Sequence, residues 1–311
     1  MKAILITEPI AKESLAKITE LGYAIKNEYD EAGAEIANED VVGVINRLHA
    51  IDGPWMDQYP NLKIIAYHGV GYDAIDLDAA RERNICVAIT PGQNARSVAE
   101  HTIALMLGLA KNTVALANGY RESGFGIKYN YECTELYGKT LGLFGLGTIG
   151  SIVAQIAKHG FGMSVIAYDP YLKNAPEDIT LVASKSDILA QADYISLHLN
   201  LTDETRNYLS TEEFRQMKPT ARLINVSRGP MVDELALIQA LQNHEIAGAG
   251  LDVTDPEECA ADNPLMQMNQ VILSPHVAGS ATEALIRVAD MCIANIDCHL
   301  NGQPLPGRIV S

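Results

Sequence analysis

The chain has 311 residues, 48% of them hydrophobic and 20% charged, which fits one large or two ordinary folded domains and excludes a disordered chain. Its 39 acidic and 23 basic side chains leave a formal net charge of −16, which repels nucleic acids and anionic membrane surfaces. An anionic substrate must therefore be drawn in by a few local cations.

In chain order, residues 3–7, 41–45, 63–67 and 86–89 read as strands, with 23–26 a weaker strand. Residues 12–21 and 77–84 read as helices between them. Such alternation predicts a parallel, doubly wound sheet. The turn His68-Gly69-Val70-Gly71-Tyr72-Asp73 follows the third convincing strand, beyond a carboxyl end, where these sheets bind ligands. Its glycines would expose N–H groups that suit a carboxylate, although the same residues also make a plain turn. Residues 90–94 (Thr-Pro-Gly-Gln-Asn) break the pattern. Ser97 and Glu100 are spaced as a capping box opening a helix to about Lys111, and a domain boundary is placed there. A polar stretch rich in glycine and tyrosine, 118–137, follows.

Residues 140–169 then form a complete unit. The β-favouring run 141–144 breaks into Gly145, Gly147 and Gly150, and Ile149, Ile152, Val153, Ile156 and Ala157 recur at helical spacing. A second apolar run, 165–168, ends on Asp169, nineteen residues beyond Gly150. This is a strand, tight turn, helix and strand closed by a carboxylate, which is the dinucleotide-binding pattern. The first glycine permits the turn, the second lets a pyrophosphate approach, and the third lets helix and strand pack. Asp169 is placed to accept from an adenosine ribose and to repel a 2′-phosphate. The alternative is a glycine-rich turn in an ordinary α/β domain. Beyond it, 186–192, 210–217 and 233–242 read as helices, the second with a capping box from Ser210 and Glu213. Residues 194–199, 221–226, 247–253 and 271–273 read as strands.

Polar groups stand at the ends of the last three strands: Arg228, Asp252 with Glu257 five residues on, and His276. Carboxyl ends of parallel strands share one edge, so these residues can converge. Beside a nicotinamide such a set performs hydride transfer to a 2-oxo acid. The guanidinium clamps the carboxylate and polarises the carbonyl, the imidazolium gives a proton, and the carboxylate favours the charged imidazole. Taken singly, Arg228 reads equally as a surface charge, Glu257 as part of an acidic loop and His276 as a structural histidine.

At these residues the sequence resembles the D-isomer-specific 2-hydroxyacid dehydrogenases, which include 3-phosphoglycerate dehydrogenase, glyoxylate and hydroxypyruvate reductases and D-lactate dehydrogenase. The matching stretches are HGVGYDAID (68–76), NARSVAEHT (94–102), ELYGKTLGLFGLGTIG (135–150), AYDPY (167–171), ISLHLNLTDET (195–205), LINVSRGPMVDE (223–234), AGAGLDVTDPEE (247–258) and SPHVAGSATEA (274–284). The resemblance implies an α/β protein in which a Rossmann NAD-binding domain (98–279) is inserted into a flavodoxin-like substrate domain (1–97 and 280–311). It implies Arg228 as the substrate-binding arginine, His276 as the proton donor and Glu257 as its partner. Asp252 would hold the nicotinamide carboxamide, and Asp169 the adenine ribose. Gly145, Gly147, Gly150, Thr148 and Ile149 would surround the pyrophosphate. Leu199, Val226, Ser227, Ala278 and Gly279 would line the cofactor, and Val70 and Gly71 would offer N–H groups to the substrate carboxylate. It further implies a homodimer.

Some positions depart from common family patterns. Thr148 stands where many members carry arginine, Asn200 replaces a frequent proline, and Glu258 replaces a proline after the catalytic glutamate. Tyr67 lies where phosphoglycerate dehydrogenases often place an arginine near the substrate phosphate, which weakens that assignment, although Arg47 offers one cation. Asp169 is followed by Pro170 and Tyr171 rather than arginine, which predicts NAD over NADP. Phosphoglycerate dehydrogenase proper remains an alternative. A formate dehydrogenase is disfavoured because its histidine usually pairs with glutamine, and a dehydrogenase-like NAD-sensing corepressor because long partner-binding tails are absent. Serine feedback through a C-terminal regulatory extension is not expected. Five cysteines without a CxxC pair or zinc spacing predict free thiols and no metal. The N-terminal apolar run is too short for a signal peptide, and no apolar helix approaches the ~20 residues a bilayer needs, so a cytoplasmic location is expected.

Overall fold

A computed structural model describes residues 1–174 and 176–311. The chain divides into two compact units, residues 1–94 with 279–311, and residues 95–278. The first unit contains strands β1 (Ala3–Ile6), β2 (Ala24–Asn27), β3 (Val41–Asn46), β4 (Ile64–Tyr67) and β5 (Cys86–Ile89). The second contains β6 (Thr140–Phe144), β7 (Ser164–Tyr168), β8 (Thr180–Leu181), β9 (Tyr194–Leu197), β10 (Arg222–Asn225), β11 (Gly248–Leu251) and β12 (Val271–Leu273). The last strand, β13 (Arg308–Ile309), belongs to the first unit.

In the first unit the sheet order is β13-β5-β4-β3-β1-β2, parallel except where β13 pairs with β5. Strands one to five thus follow the flavodoxin-like order 2-1-3-4-5. Both faces are covered, so its strands read as unbroken apolar runs. Ile4, Ile6, Ile45 and Ile64 face one cluster, while Leu5, Val44 and Ile65 face another, as a two-residue period requires. The helix Thr282–Leu300 supplies Val288, Ala289, Cys292, Ile293 and Ile296 to the first cluster. That burial explains why the chain's end returns to this unit.

In the second unit the order is β12-β11-β10-β9-β6-β7-β8, all parallel. Counted within the unit this is the Rossmann order 3-2-1-4-5-6 with one further strand. Strand order reverses between β6 and β9, and the carboxyl ends of those two strands define the binding edge. Ile195, Leu223 and Ala249 pack on one face, and Tyr194 and Ile224 on the other.

One local expectation is corrected. The helix read as starting at a Ser97 cap spans Ala95–Ala110, with Ser97 inside it and its hydroxyl donating to the Ala278 carbonyl at 2.7 Å. The polar stretch 118–137, rich in glycine and tyrosine, contains the end of a helix, Thr113–Ser123, and a 3-10 turn, Gly124–Tyr129. That helix buries none of its residues, so it carries no apolar stripe to read. At the helix Thr211–Gln216 the capping box expected from Ser210 and Glu213 is present, Glu213 accepting from the Ser210 amide at 2.9 Å, while the Ser210 hydroxyl also donates to Asp233 at 2.9 Å.

Candidate active site

The glycine turn after β6 leads into the helix Thr148–Gln155. Gly145 has φ +90°, and a Cβ there would lie 2.5 Å from the His198 carbonyl, so only glycine allows the turn beside β9. A Cβ on Gly150 would meet the Gly145 carbonyl at 2.3 Å, which shows how closely helix and turn pack. At Gly147 a Cβ would meet nothing within 4 Å, and Gly147 and Thr148 are exposed at the helix N-terminus. The open face is therefore where a pyrophosphate could approach unpaired helix N–H groups. Ile149 is half-buried against the core, and Leu199 packs within 3.1 Å of the Gly145 Cβ position. Asp169 closes β7, with Oδ2 accepting from the Leu146 amide at 3.0 Å and Oδ1 from Tyr171 at 3.0 Å. This tie brings a carboxylate to the glycine turn, the position from which an NAD site meets the adenosine ribose, and the residues fit that cofactor.

Along the same edge, β10 is followed by Val226, Ser227 and Arg228. Val226 is buried in the cluster that holds Ala278. Ser227 is buried, its hydroxyl donating to Leu197 at 2.7 Å and its amide to the Asn225 side chain at 3.0 Å. Asn225 in turn donates to the Arg228 carbonyl at 2.9 Å. A Cβ on Gly229 would collide with the Thr254 carbonyl at 1.9 Å, so the Arg228 loop lies directly on the backbone that leads to Glu257.

His276 and Glu257 meet: Nδ1 of His276 is hydrogen-bonded to Oε1 of Glu257. The hydrogen bond from His276, with the nearby charges of His276 and Arg228, holds the Glu257 carboxyl below its usual range against the opposing effect of burial. The set Arg228, Glu257 and His276 is thus gathered in one unit from the loops after β10, β11 and β12.

Asp252 lies beneath this set. Its side chain is fully buried, and Oδ1 accepts from the Ser274 hydroxyl at 2.6 Å and the Val277 amide at 2.9 Å. Oδ2 accepts from the Ala278 amide at 2.8 Å. His101, on the helix Ala95–Ala110, places Nε2 2.9 Å from the Ser274 hydroxyl and 3.4 Å from Asp252 Oδ1. Sequence reasoning missed Ser274, His101 and Asn225. Ser274 and His101 fall inside the quoted motifs SPHVAG and NARSVAEHT, but nothing in their spacing pairs them.

His198, at the end of β9, also escaped notice. Burial pushes its imidazole down to about 4, so the ring is neutral near pH 7, with Nε2 2.9 Å from the Ser196 hydroxyl.

The remaining candidates belong to the first unit. Val70 and Gly71 follow β4, with Val70 exposed and Gly71 half-buried. The preceding Gly69 has φ +156° and its carbonyl accepts from the Thr90 amide at 2.9 Å. Gly279 is pressed against Asn94, whose Nδ2 would be 2.8 Å from a Cβ there.

Comparison with known proteins gives consistent findings. The sequence pattern described as "D-isomer specific 2-hydroxyacid dehydrogenase, NAD binding domain" matches residues 103–278. A D-3-phosphoglycerate dehydrogenase of Mycobacterium tuberculosis is 34% identical over 315 residues, covering 99% of this chain and 59% of its own length. A glyoxylate reductase of Korarchaeum cryptofilum is 37% identical over 264 residues, covering 83% of this chain and 79% of its own. The crystal structure of an NADPH-dependent glyoxylate/hydroxypyruvate reductase from Sinorhizobium meliloti, in complex with NADP and malonate, superposes with a TM-score of 0.87 at 28% identity, covering 100% of this chain and 97% of that one. The chain spans about three-fifths of the length of the phosphoglycerate dehydrogenases it matches.

Proposed function

The chain belongs to the D-isomer-specific 2-hydroxyacid dehydrogenase family, and on that premise we propose that it interconverts a small 2-oxo acid and its D-2-hydroxy acid. The cofactor is NAD, which when bound supplies or accepts the hydride at the substrate carbon. The observation that carries the reading is the His276–Glu257 pair beside Arg228.

In the direction of reduction, the Arg228 guanidinium binds the carboxylate and polarises the ketone. With Nδ1 of His276 turned to Glu257, Nε2 is the nitrogen left to give a proton to the ketone oxygen. Glu257 fixes the ring's orientation and offsets its positive charge. In oxidation the same nitrogen takes the proton back. The Val70 and Gly71 amides are proposed as further donors to the substrate carboxylate, and Asp252 as an acceptor for the nicotinamide carboxamide. Asp169 is proposed to set preference for NAD over NADP, because its negative charge opposes a 2′-phosphate.

We propose a homodimer as the working form. Tyr120, Phe125 and Tyr129 on residues 113–129 are 59%, 69% and 80% exposed, an apolar surface of the kind a second copy would cover. Among the described residues no helix is long and apolar enough to cross a membrane.

A steady-state panel of glyoxylate, hydroxypyruvate, pyruvate, bulkier 2-oxo acids and phosphohydroxypyruvate with NADH tests the reading. Turnover of at least one small 2-oxo acid is expected, and turnover of none contradicts it. A marked preference for phosphohydroxypyruvate would identify the phosphoglycerate branch instead.

A further inference from the structure

We propose that His101 and Ser274 are positioning residues for His276, acting through Asp252 to set the direction of the ring. The inference rests on reading His276 as the proton donor.

The Ser274 hydroxyl donates to Asp252 Oδ1 at 2.6 Å, so its hydrogen is committed and its oxygen is left to accept. The Nε2–H of His101 is the donor that meets it, at 2.9 Å. Asp252 then holds the Val277 and Ala278 amides, the two that directly follow His276. Its own carbonyl takes the His276 amide at 2.8 Å. His276 is therefore gripped before and after by one buried carboxylate, and that carboxylate is tied through Ser274 to a long helix.

The same helix makes a second tie. Ser97, one turn before His101 and on the same helix face, donates to the Ala278 carbonyl at 2.7 Å. The helix is anchored by buried Val98, Ala99 and Thr102 around these two side chains.

Such a grip has something to hold. His276 has φ +51°, a left-handed conformation that a non-glycine residue keeps only where its surroundings over-determine it. The backbone conformation fixes where the Cα–Cβ bond points, and hence whether Nδ1 meets Glu257 and Nε2 is presented to the ketone. A buried carboxylate that loses a donor must find another, and the turn it holds would shift. The network is thus a means of setting the ring's aim from a residue 175 positions earlier in the chain.

The test compares His101→Leu, His101→Gln and Ser274→Ala with the parent enzyme, with thermal unfolding and NADH binding measured alongside. Glutamine keeps an N–H where the imidazole Nε2 lies, and leucine does not. The expected result is a kcat lowered about tenfold or more in the Leu and Ala variants, as misaimed groups produce, with the KM for the oxo acid within about twofold. The pH profile of kcat should move in the same two variants, and His101→Gln should recover most of the loss. If kcat in the Leu and Ala variants stays within about twofold of the parent while His276→Ala is inactive, the inference is overturned and the reading of the site survives. A Gln variant no better than Leu, at equal thermal stability, also overturns it. A fully active His276→Ala would overturn the underlying reading and this inference with it. Should His101→Leu fail to fold, Ser274→Ala, which removes a single oxygen, decides alone.

Discussion

Oε1 of Glu257 sits on Nδ1 of His276, so the two ring nitrogens are given different duties by one hydrogen bond. In the proposed reaction Nδ1 is spent on orientation and Nε2 is left to carry the proton. A carboxylate in that place also supplies a negative charge facing the protonated ring.

Replacing Glu257 with Gln keeps a polar partner but removes that charge. The alkaline limb of the pH profile for reduction should therefore move to lower pH. At the acid end, the Glu257 carboxyl is held below its usual range, chiefly by its hydrogen bond to His276, so the pair persists through mild acid and is lost only as pH falls through the lowered value. A profile that does not move in the Gln variant would show that the two groups are uncoupled.

Asp169 is proposed to govern cofactor choice. Its carboxylate joins the glycine turn through Leu146 and would meet a 2′-phosphate as like charge. In Asp169→Ala, the ratio of kcat/KM for NADH over NADPH should fall by about tenfold or more, the equivalent of some 1.4 kcal/mol. An unaltered ratio would place the choice on another residue.

The glycines of the turn should separate fold from binding. Gly147→Ala adds a methyl to open space, so thermal stability should hold while NADH affinity falls, as the backbone can no longer be approached closely. Gly145→Ala puts a Cβ 2.5 Å from the His198 carbonyl at φ +90° and should lower stability by about 1–3 kcal/mol. Thermal unfolding and NADH titration of both variants check this. Equal effects on stability would contradict the geometry.

Two half-buried histidines predict an acid sensitivity. Burial is the largest cause pushing His68 and His198 from 6.5 down to about 4, so the folded chain binds fewer protons than the unfolded chain between those values. Stability should be full above pH 6.5 and decline toward pH 4, before the lowered carboxylates Glu257, Asp193 and Glu213 are protonated. Midpoints of urea unfolding across that range should show a shallower decline in a His68→Gln, His198→Gln double variant. An unchanged slope would assign the sensitivity elsewhere.

Much of the fold was legible because parallel strands covered on both faces are written as short apolar runs, as in β1 and β3. What was hidden has physical reasons. The edge strands β8 and β13 are two residues each, too short to show a period. The helix Thr113–Ser123 contains Asn118 and Gly119 and buries nothing. Ser97 looked like a helix cap because cap and interior serines read alike, and only the Ala278 carbonyl reveals its use. At the site, Arg228, Glu257 and His276 could be placed because strand ends of a parallel sheet share an edge. The partnership of Ser274 with His101 joins residues 173 apart and became visible only in three dimensions.

The most direct test of the account is His276→Ala, with kcat and NADH affinity measured on the same preparation. A loss of kcat of about 1,000-fold or more with NADH affinity unchanged is the predicted result, since proton transfer is removed and the cofactor turn is left whole. A kcat equal to that of the parent enzyme would contradict it.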